Sequence, residues 1–138
     1  MVGKAGWLVV GAAVAFGITV VAGEKPPDSY VKNMKDTNAA SSSLRKNLEA
    51  KDYDAVAKDA ATLKTLFGNT EAFWTQRKAD DAIKIAKDGA KAAGDLETAA
   101  KAKNEEGVAA AAKVVTGACK TCHDVHRERL PDGSSEIK

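Results

Sequence analysis

From Tyr30 onward, apolar and small residues recur at alternating steps of three and four. Tyr30, Met34, Thr37, Ser41, Leu44 and Leu48 form one such series, the face of an amphipathic helix. Asp28 or Ser29, directly after Pro26-Pro27, is suited to cap its N-terminus. Tyr53, Val56, Ala60, Leu63 and Phe67 repeat in the same way and predict a second helix. Gly68-Asn69-Thr70 then reads as a turn, with Thr70 capping a third helix that opens at Glu71 and carries Trp74, Ala82, Ile83, Ala86 and Ala90. On pattern alone this helix ends either at Gly94-Asp95 or near Lys103, with Asn104 to Gly107 as the loop. A last helix carries Ala112, Val115, Cys119, Cys122 and His126 and ends near Leu130-Pro131, leaving Asp132 to Lys138 as a disordered tail. Four helices with short connections predict an all-α, antiparallel up-down-up-down bundle over residues 24–131.

The pattern upstream is different. Ala5 to Gly23 contains no charged residue, follows Lys4, and stops at Glu24-Lys25-Pro26-Pro27. It reads as an export signal, either cleaved after a small residue (Ala22 or Gly23) or retained as a transmembrane anchor. The run is long for a cleavable signal, and no polar stretch separates it from the candidate cuts. These features favour the anchor. Either way the rest of the chain is expected in the periplasm, soluble or held at the inner membrane.

Composition adds three constraints. With 138 residues the chain is one domain. Hydrophobic residues make up 44% but aromatics only 5%, and alanine dominates the apolar set, so each buried position covers little area and the core looks underfilled. The net charge is +2 with no basic block, which leaves nucleic-acid binding without an electrostatic footprint.

The chemistry is concentrated in Cys119-Lys120-Thr121-Cys122-His123, a C-x-x-C-H sequence, the attachment signature of c-type haem. Thiols three residues apart on a helix share one face and can form thioethers to both vinyl groups of one porphyrin, and the adjacent imidazole then serves as proximal iron ligand. A redox dithiol would need a βαβ setting, and zinc would need four well-placed ligands, against Cys119, Cys122, His123 and at most His126 here.

The stretch after the apolar run resembles the class II cytochrome c family, four-helix-bundle cytochromes that include cytochrome c-prime. The resemblance rests on C-x-x-C-H near the C-terminus, continuing into Asp124 and Arg127, on Met34 in the first helix, and on Trp74 at the opening of the third. The family's spacing places the last loop near Asn104 to Gly107 and so implies the longer third helix. His126 stands where members usually carry an aromatic residue, the loop after Phe67 is shorter than usual, and Phe is scarcer.

In that family the sixth iron position decides function. A Met there gives a low-spin electron carrier, and an apolar residue leaves an open site for small gases. Met34 and His123 lie at similar distances from one end of the expected bundle, so they face each other at one height. Together with the family's placement of its Met, this makes His123 and Met34 the expected axial ligands and one-electron transfer the expected task, without enzymatic activity. The alternative is a five-coordinate protein that binds nitric oxide or carbon monoxide. Tyr30, one turn before Met34, is a candidate for contact with a haem propionate or for core packing, and Arg127 is a further cofactor contact. His126, one turn after His123 on the same helix, cannot reach across the ring. Lys113, Lys120, Arg127 and Arg129 could guide an acidic redox partner. The expected partners are a redox protein or a respiratory or photosynthetic complex. The resemblance also allows a homodimer through the first two helices.

Overall fold

The structure, a computed structural model, describes residues 23–138. The signal or anchor expected at residues 5–23 therefore lies outside the described residues, Gly23 excepted. Among the described residues no helix is long and apolar enough to cross a membrane.

Four α-helices account for most of the described chain: α1 (Asp28–Glu49), α2 (Tyr53–Arg77), α3 (Asp80–Lys101) and α4 (Glu105–His126). Contacts between their ends give their directions. Lys51, after α1, reaches Glu105 at the start of α4, whereas His126 at the end of α4 meets Asp81 at the start of α3. Glu24, before α1, meets Arg77 at the end of α2. Successive helices are thus antiparallel, and one end of the bundle gathers the starts of α1 and α3 with the ends of α2 and α4. The contacts run α1 to α2, α2 to α3 and α3 to α4, while α4 and α1 barely meet.

Two expectations about element boundaries are corrected. Gly68-Asn69-Thr70 is not a turn, because α2 continues through it to Arg77. Trp74 therefore closes the second helix and does not open the third. The turn lies at Lys78-Ala79, where Lys78 adopts a left-handed conformation (φ 56°). Lys51 and Lys103 do the same after α1 and α3. At all three sites the N–H of this residue and of the next bond back to carbonyls of the last helical turn, the Schellman arrangement that satisfies a helix C-terminus. The first and third loops then hand over to an Asx cap: Asp52 Oδ1 accepts from Ala55 N–H at 3.0 Å and Asn104 Oδ1 from Gly107 N–H at 3.1 Å. The longer α3 is found, ending at Lys101.

The C-terminus is the second correction. α4 stops at His126, not near Leu130, and Asp132 to Lys138 is no disordered tail. Arg127–Arg129 (β1) and Ser135–Ile137 (β2) pair antiparallel. Pro131-Asp132-Gly133 makes the turn, with Gly133 at φ 85° and Asp132 Oδ1 accepting from Ser134 N–H at 2.8 Å. Ile137 is buried together with Trp74 and Ala82. We call this the hairpin end of the bundle.

The main core centres on Leu44, Val56, Leu63, Leu96 and Val115, all fully buried, among many alanines. Alanine has two effects here. Along α2 and α3 it lets the backbones approach, and these helices pack most extensively. Across α1 and α4, near the hairpin end, small side chains leave space that no described residue fills.

A candidate cofactor cleft between α1 and α4

That space is a narrow cleft, partly open to solvent, with a cavity volume of about 30 Å³. Tyr30, Met34 and Thr37 line it from α1, Phe67 and Thr70 from α2, Ile85 and Ala86 from α3, and Ala118, Cys119, Cys122 and His123 from α4. The expected α1 face splits in two. Tyr30, Met34 and Thr37 turn to the cleft and stay half-buried, whereas Asn33, Ala40 and Leu44 are the residues buried in the bundle. On α4 the series Ala112, Val115, Cys119, Cys122 holds as one inward face, buried at its first two positions and half-buried at the cysteines.

The two cysteines are free, and burial raises the pKa of both thiols, that of Cys122 to about 11 with help from neighbouring Cys119 and Asp81. Redox-active dithiols depend on a lowered thiol pKa, so this pair is set against thiolate chemistry and towards the neutral S–H. Burial, and then the positive charge of Arg127, holds His123 below the usual imidazole value. At neutral pH its ring is uncharged, the form that offers a lone pair to a metal.

Met34 shares the cleft with His123, although the height argument needs revision. Because α4 ends at His126, His123 lies three residues from its helix end and Met34 six from the start of α1. At ~1.5 Å per residue the offset along the bundle is about 4.5 Å, within the span of one cleft wall.

The other expected site residues separate. Tyr30 borders the cleft and also stacks on Phe73 at 3.8 Å, with Trp74 edge-on at 6.1 Å, so its packing role has a structural basis. Burial pushes its hydroxyl up to about 12. Arg127 does not line the cleft. It opens β1, and its Nε donates to Ser135 Oγ at 2.9 Å. His126 points away from the cleft, donates through Nε2 to Asp81 Oδ2 at 2.9 Å, and packs on Trp74 at 4.7 Å, pinning the end of α4 to the start of α3. Trp74, 3% exposed, is bundle packing. Of the four bases expected to guide a partner, Lys120 is paired with Asp124, Arg127 donates to Ser135, and Lys113 and Arg129 are exposed.

The sequence pattern missed the residues behind the cleft. Asn33 donates to Leu66 O at 3.2 Å and to Thr70 Oγ1 at 3.0 Å, and Asn69 donates to Asn33 Oδ1 at 3.1 Å. Phe67 occupies the cleft wall because Gly89 makes room for it, since a Cβ at Gly89 would stand 2.6 Å from its ring.

The lining is mostly apolar, and two buried N–H groups in the adjoining aromatic cluster, Trp74 Nε1 and Arg77 Nε, have no partner among the described residues. No group of three or more His, Cys, Asp and Glu side chains among the described residues could hold a bare ion. A macrocycle brings its own in-plane nitrogens and needs only axial ligands from the chain. No protein-family model, curated protein or solved structure significantly matches the chain.

Proposed function

We propose that this chain is an exported c-type cytochrome that carries single electrons. One haem is attached through Cys119 and Cys122, with His123 and Met34 as axial ligands. The observation that carries this reading is the meeting, in one mainly apolar cleft, of the C-x-x-C-H face of α4 with the one methionine among the described residues. The resemblance to class II cytochromes c points the same way.

When bound, the haem supplies a one-electron iron couple. The chain does the rest. Cys119 and Cys122, both neutral thiols, would hold the group through two thioether bonds. His123 presents an uncharged imidazole and Met34 a soft thioether. Phe67, Ile85 and Ala86 keep water from that part of the cleft, which lowers the local dielectric and tunes the potential. His123 and Met34 would together hold the iron, and the group would then supply one-electron exchange with a redox protein or a respiratory or photosynthetic complex. Homodimer formation through α1 and α2 belongs to the same proposal, as does a periplasmic location with residues 5–23 as signal or anchor.

A visible spectrum and an intact mass test it. The protein expressed in a host that matures c-type cytochromes should weigh one haem more than the polypeptide. When reduced, it should show sharp α and β bands that carbon monoxide does not move. Met34→Ala should broaden them into a high-spin spectrum that carbon monoxide shifts. An unsubstituted protein that already binds carbon monoxide would favour the gas-binding reading, and a colourless product of bare mass would sink both.

A further inference from the structure

The apolar run ending at Gly23 joins the bundle without a linker. Glu24, the next residue, is fixed at both backbone groups: its N–H donates to Ile137 O at 3.0 Å and its carbonyl accepts from Ile137 N–H at 2.8 Å. Its carboxylate accepts from Arg77 at 2.6 Å. Gly23 lies so close to β2 that a Cβ there would stand 2.3 Å from Glu136 Oε2, an approach only glycine permits without displacement. Pro26 and Pro27 stiffen the step into α1. Ile137 is in turn seated on Trp74 and Ala82.

From Glu24, direct contacts lead to the cleft. Arg77 lies over the Phe73 ring at 4.3 Å, Phe73 stacks on Tyr30, and Tyr30 lines the cleft. The chain therefore leaves the bundle towards its N-terminus at the end where His123 and Met34 stand. Charge at this end is mixed. Lys25, Arg77, Lys78, Arg127, Arg129 and Lys138 lie among Glu24, Asp28, Asp80, Asp81, Glu128, Asp132 and Glu136, so adsorption to anionic lipid has no basic patch to act on. Orientation at a membrane then depends on the tether.

We infer that the hairpin end of the bundle is the surface that rests on the lipid bilayer, with β2 clamping the tether so that the cofactor cleft is held beside the headgroups. A flexible linker would let the bundle swing, and here the clamp leaves none. An electron partner would then approach the cleft from the membrane side. This rests on residues 5–23 being retained as an anchor, one of the two readings proposed above, and is independent of the haem.

The test uses the full chain in nanodiscs of phosphatidylcholine containing a nickel-chelating lipid. A nitroxide is placed on Glu128→Cys at the hairpin end or on Ala102→Cys at the opposite end, the native thiols being consumed as thioethers. Relaxation is compared with and without nickel, which cancels any contribution from iron. We expect an effect several-fold larger at 128 than at 102, unchanged when phosphatidylserine is added. A Gly-Ser stretch inserted between Gly23 and Glu24 leaves the clamp intact and restores slack, so it should erase the difference. Equal effects in the native chain, a larger effect at 102, or a mature N-terminus at or beyond Glu24 by mass spectrometry overturns the inference. The same labels in a Cys119→Ala/Cys122→Ala background report orientation without haem, so failure of the haem reading shows in the spectrum alone.

Discussion

Asn33 illustrates how a polar residue can hold a helix seam. It is 9% exposed, yet its amide bonds to Leu66 O and Thr70 Oγ1 and accepts from Asn69, tying α1 to the middle of α2 behind the cleft. Asn33→Ala leaves these groups partly unpaired and should destabilise the fold by about 1–3 kcal/mol in urea unfolding. Thr70 Oγ1 accepts from Asn33 and donates to Leu66 O at 2.9 Å, bonds that a serine hydroxyl can also make, so Thr70→Ser should cost much less. Tyr30 adds a pH dependence. Its hydroxyl has an ordinary pKa of 10.0 and is raised to about 12 chiefly by burial, so between these values the folded chain keeps a proton that the unfolded chain releases. Its contribution is therefore whole below pH 10 and is lost towards pH 12, about 2–3 kcal/mol at most. Unfolding midpoints from pH 9 to 12 should fall more steeply in the unsubstituted protein than in Tyr30→Phe. Neither role was legible in the sequence. Asn33 stands one position off the apolar series, and burial of a hydroxyl depends on neighbours from α2.

Among the elements, the helical stretches could be read from the sequence and most of their stops could not. Side-chain periodicity repeats along a whole helix, whereas a stop is one residue in an unusual backbone conformation. Glycine is the usual signal for that conformation, and here lysine takes it at Lys51, Lys78 and Lys103, while Gly68 sits inside α2 with open space around its Cα. The turn at Lys78-Ala79 was the hardest to see because its N-cap, Ala79, provides no side-chain acceptor. Redistributing glycine should help: Gly68→Ala should add about 0.5–1 kcal/mol of helix propensity, and Lys78→Gly about 1 kcal/mol by relieving the left-handed backbone. Both should raise the thermal midpoint, and a loss on Gly68→Ala would place a turn there after all. Gly89→Ala is the contrast, since the added methyl meets Phe67 and should cost about 1–3 kcal/mol of overpacking, less the propensity gained.

Over the whole molecule the C-terminal hairpin closes what the helices leave open. It brings Ile137 onto Trp74 and ties Glu24 to the last strand. Removing Asp132 to Lys138 should cost about 1.5–3 kcal/mol for the exposed Ile137 side chain and shift Trp74 emission to the red, read against Trp74→Phe. Pro131-Asp132-Gly133 was a visible turn signal, but three-residue strands are too short for alternation to register. The sequence by itself determined the helical class, the inward face of α4 and the placing of two thiols and an imidazole on it, because a period of 3.6 residues sets which side chains share a face. Only the tertiary structure decided that α1 and α4 stand apart, that Met34 and His123 share the resulting cleft, and that Arg127 and His126 turn elsewhere. Those outcomes depend on where helices end and how closely alanine lets them approach, and both are set by contacts between segments distant in the chain.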